Sequence, residues 1–234
     1  MTNILLTGAS RGIGAAALAA LTAAGATVAG QSTRGDDGLL AADLAQPLAG
    51  DALWDAALER LGGRIDVLVN NAGVFEAVDV DAPGTEWQAM WTRSTAVNLH
   101  APADLCRRAV QHFRANGGGR IVNIASRAGH RGDSPAHWHY AAAKAGIIAM
   151  TKTIARAYAR DGVLAYAVAP GFVMTGMAEE YLSSRGGEQL LADIPLGRVA
   201  SVAEVAETIR WLALDAPPSL TGATLDVNGA SYVR

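Results

Sequence analysis

Short apolar runs alternate with longer Ala/Leu-rich stretches along the whole 234-residue chain. The runs are brief, rich in Val, Ile and Leu, and bounded by Gly, Asn or Asp, which is the signature of buried strands. They predict strands at Asn3–Leu6, 27–30, 39–42, 66–70, 120–125, 164–169 and Thr224–Val227. The intervening stretches predict helices, among them 12–24, 54–61, 140–160 and Val202–Leu214. In the last, Val202, Val205, Ala206, Ile209, Leu212 and Ala213 fall on one helical face. Strand–helix alternation implies parallel units covered on both faces. The expectation is one α/β domain spanning 1–234, a doubly wound sheet of seven mainly parallel strands with helices on both sides. One connection fits poorly. Residues 31–38 must link the second and third strands, whereas a parallel crossover normally takes roughly a dozen residues and a helix. Either that helix is reduced to a loop or the strand ends lie elsewhere.

The first predicted strand runs into Thr7-Gly8-Ala9-Ser10-Arg11-Gly12-Ile13-Gly14, and a helix follows at once. Between a strand and a helix, such a loop has a physical purpose. Gly8 permits the tight turn, Gly12 lets backbone approach a pyrophosphate, and Gly14 allows close packing of the helix. The helix N-terminus then offers free N–H groups and the positive end of its dipole to the phosphates. The spacing is Gly-x3-Gly-x-Gly, not the common dinucleotide fingerprint, and an ordinary glycine-rich turn is the plainer alternative.

Further motifs follow in order: Asp43-Leu44, Asn70-Asn71-Ala72-Gly73, Asn98, Ser126, Tyr140 with Lys144, and Pro170-Gly171-Phe172-Val173-Met174-Thr175. With the glycine loop, these span the chain and resemble the short-chain dehydrogenases/reductases, in flavour the 3-oxoacyl-acyl-carrier-protein reductase-like group. The resemblance implies a Rossmann-type fold and a nicotinamide cofactor. It places Asp43 and Leu44 beside the adenine, and Asn71, Ala72 and Gly73 beneath the adenosine ribose. It places Pro170, Gly171, Val173 and Thr175 at the nicotinamide carboxamide. Asn70 is expected to tie strands together.

At the end of the second strand, where NAD-specific folds usually carry an acid, stand Ser32, Thr33 and Arg34. Hydroxyls and a guanidinium suit a 2′-phosphate, and Arg11, with Ser10 and Ile13 in the same loop, lies within reach of it. NADP(H) is therefore favoured over NAD(H). Arg34 as a plain solvated cation, and a preference reversed by Asp36 or Asp37, stay open.

Tyr140 and Lys144 stand four residues apart, on one face of a helix. An ammonium beside a phenol is expected to lower its pKa from near 10 and make it a usable acid/base. Only Lys144 and Lys152 are lysine among 19 basic residues, so a chain that otherwise writes Arg has a compact ammonium here. Ser126 should emerge at a strand's carboxyl end and donate to a substrate oxygen. The resemblance adds Asn98 as the holder of a water in a proton relay through Lys144. The Ser126–Tyr140 gap is one residue longer than the family's, and Gly132 and Pro135 are expected to absorb the extra residue in a loop. In that gap, Arg127 and Arg131 are expected to face solvent in preference to an anionic substrate. His137 and His139 are expected to be solvated or structural, and Trp138 is equally a pocket wall or a surface ring. Substrate specificity is expected in this gap and in 175–187, with Met177, Tyr181 and Leu182.

Composition changes little in this picture. A net charge of −3 offers no footprint for nucleic acid or an anionic membrane. The single cysteine, Cys106, has no companion for a disulfide or a metal site, so no metal is expected and core filling in a helix is its expected role. No stretch approaches roughly 18 continuous apolar residues, and a cytoplasmic location is expected. The resemblance implies a homotetramer, or a homodimer, with contacts around 96–115 and 140–160. Three functions remain: an NADP(H)-dependent carbonyl reductase or secondary-alcohol dehydrogenase, an NAD-dependent dehydrogenase of a cyclic diol or sugar-like alcohol, and a non-catalytic dinucleotide sensor.

Overall fold

A computed structural model of the chain describes residues 1–174 and 191–234. Seven parallel strands form one sheet: β1 (Asn3–Leu6), β2 (Thr27–Ser32), β3 (Leu40–Ala41), β4 (Val67–Asn70), β5 (Gly119–Ile124), β6 (Val163–Pro170) and, after a small two-stranded ribbon, β9 (Thr224–Val227). Their order is β3-β2-β1-β4-β5-β6-β9. The order reverses between β1 and β4, and at such a switch point the loops after neighbouring strands diverge and leave a crevice. The ribbon pairs β7 (Val173–Met174) with β8 (Ala200–Ser201).

Alternation within β1 shows why the sheet is covered twice. Ile4 and Leu6 enter one core with Ala17 and Leu21 of α1 (Gly12–Ala23) and Val205, Ile209 and Leu212 of the last helix, Val202–Leu214. Leu5 points the other way, toward Leu53 and Trp54 of α2 (Ala49–Arg60) and Leu105 and Phe113 of α4 (Ala101–Ala115). Strands apolar on both faces need exactly this double cover, and their predicted positions agree with the structure to within two residues at each end. The start of α2 lies five residues earlier than its apolar pattern indicates.

The short connection after β2 is indeed a loop. A 3₁₀ turn at Asp36–Gly38 with left-handed Gly35 stands in place of a helix, and β3 is reduced to two residues paired with Gln31 and Ser32. Before α4, α3 (Gly84–Thr95) passes through a π-helical turn at Ala96–His100 that contains Asn98. Cys106 is buried in α4 beside Asn70 and Asn123, whose side chains bridge β4 and β5 at 2.9 Å. Burial pushes its thiol up to about 12. Among the described residues no helix is long and apolar enough to cross a membrane.

Candidate active site

The carboxyl ends of β1, β4, β5 and β6 lie side by side, and each delivers part of the site. Thr7, just after β1, is the hub of the glycine loop. Its Oγ1 accepts hydrogen bonds from the backbone N–H groups of Asn71 and Ala72, both at 3.0 Å. Asn71 answers by donating Nδ2 to the carbonyls of Thr7 and Gly8, each at 3.0 Å. The segment expected beneath a ribose is thereby sewn to the loop expected beneath a pyrophosphate.

Gln31, unremarked in the sequence, holds the loop from the other side. Its Oε1 accepts from Gly8 N at 2.9 Å and its Nε2 donates to the Ala42 carbonyl at 2.7 Å. Only its place at the end of a strand beside the loop marked it. Gly14 is needed for close approach, since a Cβ there would collide with the Gly8 carbonyl oxygen. No side chain caps the first turn of α1, the turn carries no acid, and Ser10 and Arg11 are exposed. An uncapped helix start under a glycine loop fits a phosphate group, and the residues present thus fit a dinucleotide. Ile13 packs against the core behind the loop.

At the ribose end, Ser32 is buried with its hydroxyl accepting from Gly35 N, while Thr33 and Arg34 are exposed. Arg34 lies 3.6 Å from Asp36 and is 87% exposed, so this pair is loose and screened. Asp43 accepts from Ala45 N and the Gln46 side chain, which lower its pKa. The Leu44 side chain is buried in the core. Pro170 closes β6, Gly171 donates to the Val227 carbonyl, and Val173 is buried in the ribbon. Thr175 lies outside the described residues, as do Met177, Tyr181 and Leu182.

Tyr140 lies in the first turn of α6 (Trp138–Tyr158) and Lys144 one turn on. Lys144 is 4% exposed; its Nζ donates to the Ile124 carbonyl at 2.8 Å and sits 5.6 Å from the Tyr140 ring centre. Burial lowers its pKa to about 8. The shift at Tyr140 runs against the expected acidified phenol. Burial pushes Tyr140 up to about 12, opposed by a hydrogen bond with Ser126, and Lys144 does not figure among the causes. Desolvation dominates, and the ammonium is turned to the end of β5.

Ser126 follows β5, and its Oγ accepts from Ala128 N at 3.1 Å. Between Ser126 and Tyr140 lie a helical turn, α5 (Ala128–Arg131), and a loop after Gly132. Gly129 lets that turn lie against α6: a Cβ would sit 2.7 Å from the Lys144 carbonyl carbon.

The side chain of Asn98 is held on both edges by Val74, donating to its carbonyl at 2.9 Å and accepting from its N–H at 3.2 Å. Asn98 also donates to Ser94 Oγ at 3.2 Å, and Ser94 Oγ lies 2.8 Å from Nδ1 of the fully buried His139. Burial lowers the pKa of His139, which also packs edge-on against Trp91, in keeping with a structural role. His137 stacks on Phe75 at 3.8 Å, and Phe75 meets Tyr140 edge-on at 4.9 Å. Trp138 is half exposed and packs edge-on against Trp87 at 5.5 Å.

Arg127 departs from expectation. It is 8% exposed, with its guanidinium 4.7 Å from the centre of the Phe172 ring. The β5 and β6 ends converge there, and the Arg127 N–H donates to the Pro170 carbonyl, so the side chain is drawn under residues that sequence distance hides. Arg131 lies at the surface, as expected, donating to the Ser231 carbonyl at 3.3 Å.

The switch-point crevice, the uncapped glycine loop and the polar side chains at the strand ends define an α/β oxidoreductase of the dinucleotide-binding class. A family model described as enoyl-(acyl carrier protein) reductase matches residues 8–230. The chain is 40% identical to the 3-oxoacyl-[acyl-carrier-protein] reductase of Synechocystis sp., with 96% of this chain and 94% of the relative covered. It is 34% identical to the 3-oxoacyl-[acyl-carrier-protein] reductase of Escherichia coli, with 98% and 96% covered. It is 33% identical to the acetoacetyl-CoA reductase of Rhizobium meliloti, with 97% of each covered. The chain belongs to the short-chain dehydrogenase/reductase family and is an oxidoreductase.

Proposed function

We propose that this enzyme interconverts a carbonyl and a secondary alcohol with NADP(H), and that Tyr140 is its general acid/base. One observation carries the reading: a half-buried phenol beside Ser126, its pKa raised, one helical turn from a buried ammonium. When bound, the nicotinamide supplies or takes up the hydride. Gly8, Ser10, Arg11, Gly12, Ile13 and Gly14 would hold its pyrophosphate, and Arg11, Ser32, Thr33 and Arg34 its 2′-phosphate. Asp43, Leu44 and 71–73 would border the adenosine.

In the reducing direction, Ser126 positions the substrate oxygen and supports the charge that grows on it. Tyr140, held protonated by burial, gives that oxygen its proton. Lys144 then lies close enough to stabilise the phenolate, and Asn98, fixed by Val74 and Ser94, holds the wall next to Lys144. The relatives are named for 3-oxoacyl and acetoacetyl thioesters, so a ketone one carbon removed from a carboxyl-level carbonyl is the first substrate to try. Tyr140→Phe should keep NADPH binding, followed by fluorescence titration, and lose turnover, followed by nicotinamide absorbance. Turnover unchanged in that variant would remove Tyr140 from the chemistry.

A further inference from the structure

Arg127 immediately follows the serine assigned to the substrate oxygen and is buried, with no acid paired to it among the described residues. Among the described residues it makes no salt bridge, and its Nη1 is shielded from solvent with no hydrogen-bond partner. A guanidinium in that state is costly unless something completes its donor set. The Phe172 ring covers the guanidinium's face, 4.7 Å from ring centre to Cζ. Face contact leaves the in-plane N–H donors unused, and those form the fork that matches a carboxylate edge-on. The position is fixed by backbone: Arg127 N donates to the Pro170 carbonyl at 3.0 Å, and the α5 turn that follows lies against α6 at Gly129. Of the neighbouring charges, Arg131 adds to the positive potential, while Asp133 and Asp193 oppose it.

We propose that Arg127 is a specificity-determining residue that binds a carboxylate carried by the carbonyl substrate. This rests on the carbonyl-reduction reading above and narrows its substrate class to oxo acids. The ketone oxygen is held at Ser126 and the carboxylate on the adjoining guanidinium.

The test compares 3-oxobutanoate with its ethyl ester, which share the ketone and differ in the charge. With NADPH, the wild-type enzyme should prefer the acid by about tenfold or more in kcat/KM, the order expected for a hydrogen bond to a charged group. Arg127→Met should lower kcat/KM for the acid by about ten- to a hundredfold, mainly through KM, and erase the preference. Arg127→Lys should restore part of it. If Arg127→Met does not fold, Arg127→Gln, which keeps a polar donor in place, serves instead. An ester preference in the wild type, or an acid-to-ester ratio untouched by the variants, overturns the proposal and leaves the carbonyl reading standing. If neither compound turns over, calorimetric titration of 3-oxobutanoate decides: binding lost with Arg127 supports the proposal, and absent or equal binding overturns it. Inorganic phosphate binding more tightly than the acid also overturns it.

Discussion

Thr7→Val replaces a buried hydroxyl by a methyl of nearly the same shape, and so isolates what Thr7 Oγ1 does. That oxygen accepts from Asn71 N and Ala72 N, both at 3.0 Å, and Thr7 is 1% exposed. A stranded buried N–H costs about 1–3 kcal/mol, so two cost about 2–6 kcal/mol if neither finds water. Against a typical stability of about 5–15 kcal/mol this is a large fraction of the whole. Thr7→Ser is the control. It keeps the acceptor and deletes one buried methyl, for about 1 kcal/mol. Urea unfolding at fixed slope gives both numbers, and NADPH titration should show weaker binding in the Val variant because 71–73 keeps only the Asn71 side-chain ties to the loop. If Val and Ser unfold within about 0.5 kcal/mol of each other, Thr7 Oγ1 does not organise the junction and this account of the loop fails.

Two other expectations follow from burial. Because Lys144 is held at about 8 when folded against 10.5 when free, the unfolded chain binds more protons between those values, and stability should rise with pH across them. Relative to Lys144→Met, the wild type should gain about 2–3 kcal/mol between pH 8 and pH 10, read from urea midpoints; parallel curves would show that the ammonium is not desolvated. Cys106, with its thiol pushed up to about 12, should resist a thiol reagent at pH 8 in the native enzyme and label stoichiometrically in denaturant. Fast native labelling would place it outside the core.

Much of this enzyme could be read from the chain because its signals are local. Apolar runs of strand length must be buried on both faces, so their alternation with helices names the doubly wound sheet before any contact is known. Val202–Leu214 was legible to the residue from its one-sided apolar stripe, and in the structure Ser201 and Glu204 close its start with a reciprocal capping box. Tyr140 and Lys144 needed only helical spacing, and Gly8 through Gly14 only their place between a strand and a helix.

What the chain could not say concerns groups that meet across long sequence distances. Lys144 donates to Ile124, Asn70 bridges to Asn123, Gln31 ties Gly8 to Ala42, and Arg127 lies over Phe172. Spacing along a helix correctly put an amine near a phenol, but the sign of the phenol's pKa shift depends on how much water both groups lose. Desolvation is a property of everything packed around a side chain, so tertiary structure alone decided that the Tyr140 pKa is raised and that Arg127 is buried against Phe172.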